Sequence, residues 1–195
     1  MLGVTLTGCG GNPIRAQWTD PAFTKGSLKG AKVLVLCDAG VIALRRICEQ
    51  EVSQQLTGAG VTPVIAPDLT AGAESGAQAD PAILAAAREA SAAAVFRSSI
   101  RPDKTVVSPQ PTVGIGIGSW GGWSGGVGGS VGVSMPVGSP GVDTFYAAEM
   151  TLTDVASGKL IWTSTATGRA SSNPDTQVAN LARAGVSAAK GAGVF

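Results

Sequence analysis

The sequence predicts an α/β domain of the mixed α+β kind, in which about three helices pack on a mixed β-sheet that carries a glycine-rich β-hairpin. Three observations lead to this prediction. Strand and helix patterns alternate through the first half of the chain, two strand patterns follow one another in the second half, and a run of alternating glycines lies between them. With 195 residues, the chain is long enough to bury one core.

The first half has the order β-α-β-α-β. Residues 32–37 form a near-continuous apolar run, typical of a strand covered on both faces. Strands at 61–66 and 93–100 flank a helix that begins at Asp80-Pro81, a capping carboxylate followed by proline. Between the first two strands, apolar residues at helical spacing predict the buried stripe of a helix: Val41, Leu44, Ile47, Cys48, Val52 and Leu56. This order favours a crossover-connected sheet with helices packed against it.

The second half predicts two further strands and a last helix. In the segment 145–155, apolar and polar residues alternate with a period of two, which indicates a strand with one covered face. A turn at 156–159 joins it to a second strand at 160–167. Asn173-Pro174 begins the last helix. We therefore expect these strands to extend the sheet and this helix to pack on it.

The cysteines of the first strand and helix are predicted to remain two separate buried thiols. Cys37 ends the strand, and Cys48 lies about two turns into the helix that follows. At a rise of ~1.5 Å per residue, the helix would carry Cys48 roughly 10 Å past the strand end. A disulfide needs Cα atoms within ~7 Å. A zinc site would need four ligands at set spacing, and the chain does not offer them.

The N-terminus resembles a bacterial lipobox, with residues 6–9 reading Leu-Thr-Gly-Cys. Cys9 would then be the lipidation site, residues 1–8 a signal-peptide remnant, 9–30 a tether and lead-in, and 31–190 the single domain. Gly10, in place of an aspartate retention signal, favours the outer membrane and its periplasmic face, where acyl chains alone would anchor the domain. Only eight residues precede Cys9, too few for a complete signal. The alternative is an accidental match with a free or buried thiol.

The segment 112–141 is predicted to form a glycine-rich β-hairpin with one apolar face and one nearly bare face. Its apolar positions and its tryptophan apex are a possible interaction surface: Val113, Ile115, Ile117, Trp120, Trp123, Val131 and Val133. Three interpretations stay open. The segment is a loop or a hairpin that extends the domain's own sheet, an edge that pairs with another protein or protomer, or a membrane-inserting hairpin of an oligomeric barrel. The first arm is short for the ~9–11 residues of a barrel strand.

Composition excludes several classes of function. The chain has no histidine, and so lacks the commonest general base and the commonest metal ligand. With a net charge of +1 and no basic run, it offers nucleic acid no phosphate-binding stripe. Residues 116–121 match a dinucleotide fingerprint only by letter, because more glycine follows instead of a helix. Residues 122–126 match the G-x-S-x-G pattern, but no histidine could activate the serine. We expect no catalytic residues, no metal and no cofactor.

The stretch Asp154–Trp162, which reads DVASGKLIW, and the first helix with Arg45, Arg46 and Glu49 resemble uncharacterised bacterial envelope lipoproteins. Those families share a fold similar to the N-terminal domain of TolB, and the curli-secretion lipoprotein CsgG has a related core. The resemblance covers about residues 15 to 190, and the motifs that carry it are features of the fold and not of a catalytic site. It implies an envelope location and an assembly or partner-binding role, and it supplies no catalytic residues.

The expected function is that of a non-enzymatic outer-membrane lipoprotein whose domain binds another envelope protein. The alternatives are a subunit of an oligomeric secretion pore, which would be a homo-oligomer, and a periplasmic ligand-binding module for a small molecule or peptidoglycan.

Overall fold

The structure, a computed structural model, describes residues 13–66, 80–108, 112–115, 133–136, 141–169 and 173–195. In these ranges the strands are β1 (Ile14–Thr19), β2 (Lys32–Ala39), β3 (Thr62–Ile65), β4 (Ala94–Ser108), β5 (Thr112–Ile115), β6 (Val133–Pro136), β7 (Gly141–Asp154) and β8 (Leu160–Thr167). The helices are α1 (Ile42–Gly58), α2 (Pro81–Glu89) and α3 (Pro174–Gly191).

Six of these strands form one sheet in the order β1-β8-β7-β4-β2-β3, and β5 pairs with β6 separately. β2 is parallel to both β3 and β4, whereas β4–β7, β7–β8 and β8–β1 are antiparallel. The parallel part comes from the β-α-β-α-β half of the chain, because each helix returns the chain to the same end of the sheet. The predicted mixed α/β fold is confirmed.

The helices pack on both faces of the sheet. α1 and α3 cover one face, where Val35, Phe96 and Trp162 belong to the larger core. The rings of Phe96 and Trp162 stack with their centroids 6.3 Å apart. α2 covers the parallel half of the other face and buries Leu34 and Leu36 beneath it. The apolar run of β2 is thus buried on both sides, as its composition predicts.

Helix α3 approaches the sheet closely at one glycine. A Cβ at Gly185 would overlap the Sδ of Met150, which is fully buried on β7. The absent side chain therefore sets the distance between α3 and the sheet, because any larger residue would have to displace Met150.

The prediction of two separate thiols is wrong, because Cys37 and Cys48 form a disulfide with Cα atoms 6.1 Å apart. β2 continues two residues past Cys37 to Ala39, and the connection carries the chain further from Cys37 before α1 begins at Ile42. The rise of the helix therefore brings Cys48 back alongside Cys37 instead of carrying it away.

Two further predictions about strands differ from the structure. Residues 14–19, placed in the tether and lead-in, form β1 and pair with β8. The strand expected at 93–100 continues to Ser108, since β7 remains paired with it along that length. Glu49 of α1 is buried beside the guanidinium of Arg46 at 2.9 Å.

None of the helices in the described ranges is both long enough and apolar enough to cross a lipid bilayer.

Candidate functional site

The carboxyl ends of the three parallel strands meet at one end of the sheet, the usual position of functional residues in open α/β sheets. Here that end carries four exposed apolar side chains. Val41 is 56% exposed, Ile42 71%, Ile65 47% and Val106 45%. Val41 and Ile42 follow β2, Ile65 ends β3, and Val106 lies on β4 beyond its pairing with β2. We call these four residues the apolar platform.

A two-stranded ribbon projects from the same end. β2 last pairs with β4 at Ile100, and β8 last pairs with β7 at Ala147. Beyond these points, among the described strands, β4 and β7 pair only with each other, from Pro102 opposite Tyr146 to Ser108 opposite Gly141. We call residues 102–108 and 141–146 the ribbon. Since an isolated two-stranded hairpin is only marginally stable in water, the ribbon depends on contacts at its base or with a partner.

Two side-chain contacts hold the base of the ribbon. On the β4 side, Arg101 forms an ion pair with Asp38 at the end of β2, with Nη2 and Oδ2 3.2 Å apart. On the β7 side, the buried Gln177 of α3 accepts a hydrogen bond from the Tyr146 N–H (3.3 Å) and donates one to the Thr144 carbonyl (2.7 Å). The amide of Gln177 thereby replaces a strand where β8 has ended.

The free edge of β4 in the ribbon carries features that discourage unspecific strand pairing. The register shifts between Pro102 and Lys104, which leaves Asp103 as a β-bulge. Pro102 has no N–H to offer, and Asp103 and Lys104 are exposed charges. Proline, bulges and charges are the usual protections of an edge strand. Strand addition is therefore disfavoured along residues 102–104.

The N-terminus of α1 departs from the local rules of helix formation. Its N-cap is Val41, in extended conformation, with no side-chain hydrogen bond to the helix and no acidic residue in the first turn. Serine, threonine, aspartate or asparagine would be more stable there. The prediction that Val41 lies in the buried stripe is wrong, because the stripe begins at Leu44. Apolar residues that cost helix stability at an exposed position suggest a binding role.

The predicted interaction hairpin is only partly within the described residues. β5 and β6 pair antiparallel, with Val113 opposite Met135 and Ile115 opposite Val133. Three residues separate β5 from β4, and four separate β6 from β7, so these short strands lie on the same two arms of chain as the ribbon. The other predicted residues lie outside the described ranges: Ile117, Trp120, Trp123 and Val131 of the hairpin, Cys9, and both motif matches at 116–126.

The described residues contain no cluster of three or more histidine, cysteine, aspartate or glutamate side chains able to hold a metal ion. The charged pair at the base of the ribbon, Asp38 with Arg101, is partly exposed and joins two strands. The chemistry that the platform offers is therefore burial of apolar surface, together with the unpaired backbone of the ribbon edge.

Fold and site together define an open, mixed α/β domain with a projecting ribbon and an apolar platform beside it. No protein-family model matches the chain, and no curated protein matches its sequence.

Among solved structures, the chain is similar to the PelC dodecamer from Paraburkholderia phytofirmans, with 16% identity, a TM-score of 0.48 and coverage of 87% of this chain and 91% of that one. It is also similar to the lipoprotein GNA1162 from Neisseria meningitidis, with 13% identity, a TM-score of 0.44 and coverage of 83% and 99%. A PDZ domain protein from Parabacteroides distasonis gives 10% identity, a TM-score of 0.42 and coverage of 88% and 34%. At these identities, function has to be argued from the residues of this chain itself.

Proposed function

We propose that this protein is a non-enzymatic module of the bacterial cell envelope that binds another envelope protein through the apolar platform and the ribbon. The observation that carries the proposal is that one end of the sheet carries four exposed apolar side chains. Val41, Ile42 and Ile65 lie at the carboxyl ends of β2 and β3, and Val106 lies on the ribbon itself. Clustered exposed apolar residues mark protein interaction sites. Beyond the protected stretch 102–104, the edge of β4 in the ribbon has no neighbouring strand among the described residues, and such an edge gives a partner strand both affinity and direction.

The disulfide supports a location outside the cytoplasm. Cys37 and Cys48 are both buried and bonded to each other. Disulfides persist in oxidising compartments such as the periplasm and are rare where thioredoxin and glutathione keep thiols reduced. The pairing therefore fits a domain that folds after export.

The anchor belongs to the same proposal. Cys9 would carry the acyl chains and hold the domain at the periplasmic face of the outer membrane, with residues 10–13 leading directly to the start of β1 at Ile14. Such an anchor needs no spanning helix, since each buried methylene contributes ~0.8 kcal/mol. Intact-mass measurement on protein from the native host tests this part, and an acyl-free, unprocessed chain would contradict it.

The partner-binding part is tested on protein extracted from native membranes with mild detergent and separated by size. We expect a complex larger than the lipidated monomer. The double variant Ile42→Glu/Val106→Glu should release the monomer, because two buried carboxylates would be left without partners in the interface. Ala85→Glu, at an exposed position of α2, is the matched control and should leave the complex intact.

Three outcomes would contradict the proposal. A monomer in the unmodified extract, or equal complexes from both variants, would exclude the platform as the docking surface. A complex made only of copies of this chain would exclude a separate envelope partner and favour the oligomeric assembly instead.

A further inference from the structure

A groove lies between the edge strand β1 and helix α3, away from the apolar platform. Its volume is about 770 Å³, within the range of ligand-binding clefts. On one side it is lined by five consecutive residues of the chain, 13–17. On the other side are four small residues of α3, which leave space beside the helix: Ala184, Ser187, Ala188 and Gly191.

The lining shows that the groove follows the edge of β1. Successive side chains of a strand point to opposite faces of its sheet, so a surface that touches five residues in a row runs along the backbone. β1 is the last strand of the sheet and pairs only with β8 in the described part of the chain.

The outward backbone groups of β1 can be assigned from its ladder. The N–H of Asp20 bonds to the carbonyl of Ile161 on β8. Because bonding directions alternate along an antiparallel strand, Trp18 and Ala16 also face β8, and Gln17 and Thr19 face away from it. The outward N–H and C=O groups of Gln17 and Thr19 form no hydrogen bond within the described ranges. This edge can accept one more strand.

Arg15 gives the groove its charge. The register of β1 with β8 shifts between Ile14 and Ala16, which leaves Arg15 as a bulge residue. Bulges re-aim a side chain away from the regular pleat. The Arg15 side chain is exposed and forms neither an ion pair nor a hydrogen bond with any described residue, and no acidic residue is among the described residues that line the groove. Within the described residues, its guanidinium is therefore available to a carboxylate.

We propose that this groove binds an extended acidic segment of a partner protein, which adds as a seventh strand beside β1 and places a carboxylate on Arg15. The unpaired backbone groups of Gln17 and Thr19 would hold the segment in register, and Arg15 would select for aspartate or glutamate. The small residues of α3 leave room for the side chains that face the helix. The groove shares no residue with the platform, so the two proposals stand or fall separately.

The test uses a library of random ten-residue peptides displayed on phage, selected on the oxidised full-length protein. Enriched peptides are expected to carry an acidic residue within a proline-free core. The best one is then synthesised, and its Kd is measured by fluorescence anisotropy. Arg15→Glu should raise the Kd of this peptide by roughly tenfold or more. Lys32→Glu makes the same change in charge at an exposed position of β2, four strands away from β1 in the sheet, and should leave the Kd unchanged.

A second variant tests strand addition itself. Gln17→Pro removes the outward N–H of β1 while sparing the bonds to β8, and proline is tolerated at a strand edge whose N–H faces solvent. It should abolish binding, with thermal unfolding showing that the fold is retained. Methylating single backbone nitrogens of the peptide should weaken binding only at every second residue.

The variant Ser187→Trp fills the groove and serves as the control for the selection. If the unmodified protein enriches only peptides that this variant also enriches, the proposal is overturned. Peptides that need Gln17 but bind equally well to Arg15→Glu would refute the acidic class. Concentration-dependent self-association that is lost in Gln17→Pro would assign the groove to a second copy of this chain instead.

Discussion

The side-chain amide of Gln177 pairs with the backbone at Tyr146 as a strand would, although it projects from a helix. Its Oε1 accepts the Tyr146 N–H, and its Nε2 donates to the carbonyl of Thr144. Directly beside it, the N–H of Gly168 bonds to the Tyr146 carbonyl at 2.7 Å. The edge of β7 is thus satisfied where β8 ends, and α3 holds the ribbon at its base.

We predict that Gln177→Leu lowers the free energy of unfolding by about 1–3 kcal/mol, because it leaves the Tyr146 N–H and the Thr144 carbonyl unpaired in a half-buried position. In the same variant, hydrogen exchange at the Tyr146 amide should be faster than in the unmodified protein. Urea denaturation and exchange measured by NMR check both effects. Gln54→Leu, at an exposed position of α1, should change stability by less than about 0.5 kcal/mol. Equal effects of the two variants would show that the amide pairing contributes nothing.

We predict that Gly185→Ala destabilises the domain by about 1–3 kcal/mol, because the new methyl group would overlap Met150 in a packed core. In the background of Met150→Ala the same substitution should cost far less, and a double-mutant cycle on urea midpoints measures this coupling. Gly58→Ala, where a Cβ would meet nothing within 4 Å, is the control. Additive effects of Gly185→Ala and Met150→Ala would contradict the close approach of α3 to the sheet.

Reduction of the Cys37–Cys48 bond is predicted to lower stability by about 3 kcal/mol, since the bond closes a short loop in the unfolded chain. Unfolding curves with and without a strong reductant give the difference. The variant Cys37→Ala/Cys48→Ala should unfold at the same midpoint in both conditions. If the unmodified protein is equally insensitive to reductant, the bond is absent in solution.

Val41→Asp is predicted to stabilise the domain by roughly 1 kcal/mol and, at the same time, to weaken the envelope complex. Val41 already has the extended N-cap conformation, so an aspartate there can accept the first free N–H groups of α1. It also places a charge in the apolar platform. Chemical denaturation and the size of the detergent-extracted complex report the two effects. Val41→Ala should weaken the complex without raising stability. A more stable Val41→Asp variant with an intact complex would remove Val41 from the binding surface.

Much of the fold could be predicted because its strands and helices have strong local patterns. The buried run of β2, the period of two in β7 and the Asp80-Pro81 start of α2 each specify their element without tertiary context. β1 was not predicted, although Ile14, Ala16 and Trp18 alternate with polar residues as in a strand with one covered face. The pattern spans only six residues, four of which are exposed, and it is pairing with β8 that makes them a strand.

The candidate site was less accessible from sequence, because its features depend on where segments meet. The apolar spacing of Val41 fitted the helix, but Val41 is the extended N-cap residue, it is exposed, and the buried stripe begins at Leu44. The predicted strand ended at residue 100, before Pro102, and it is the partner strand β7 that keeps Pro102 to Lys104 extended. The disulfide depends on the direction in which α1 returns along β2, a tertiary relationship that spacing along the chain does not contain.

The disulfide has a consequence for when the binding surface exists. The covalent ring that it closes runs from Cys37 to Cys48 and contains Asp38, Val41 and Ile42, which are the anchor of the ribbon base and half of the apolar platform. Before oxidation this loop is held by the pairing of Ala39 with Ile100, by the Asp38–Arg101 ion pair and by the uncapped first turn of α1, without a covalent tie. The proposed docking surface is therefore least rigid in the reduced chain, and it becomes fixed when Cys37 and Cys48 pair.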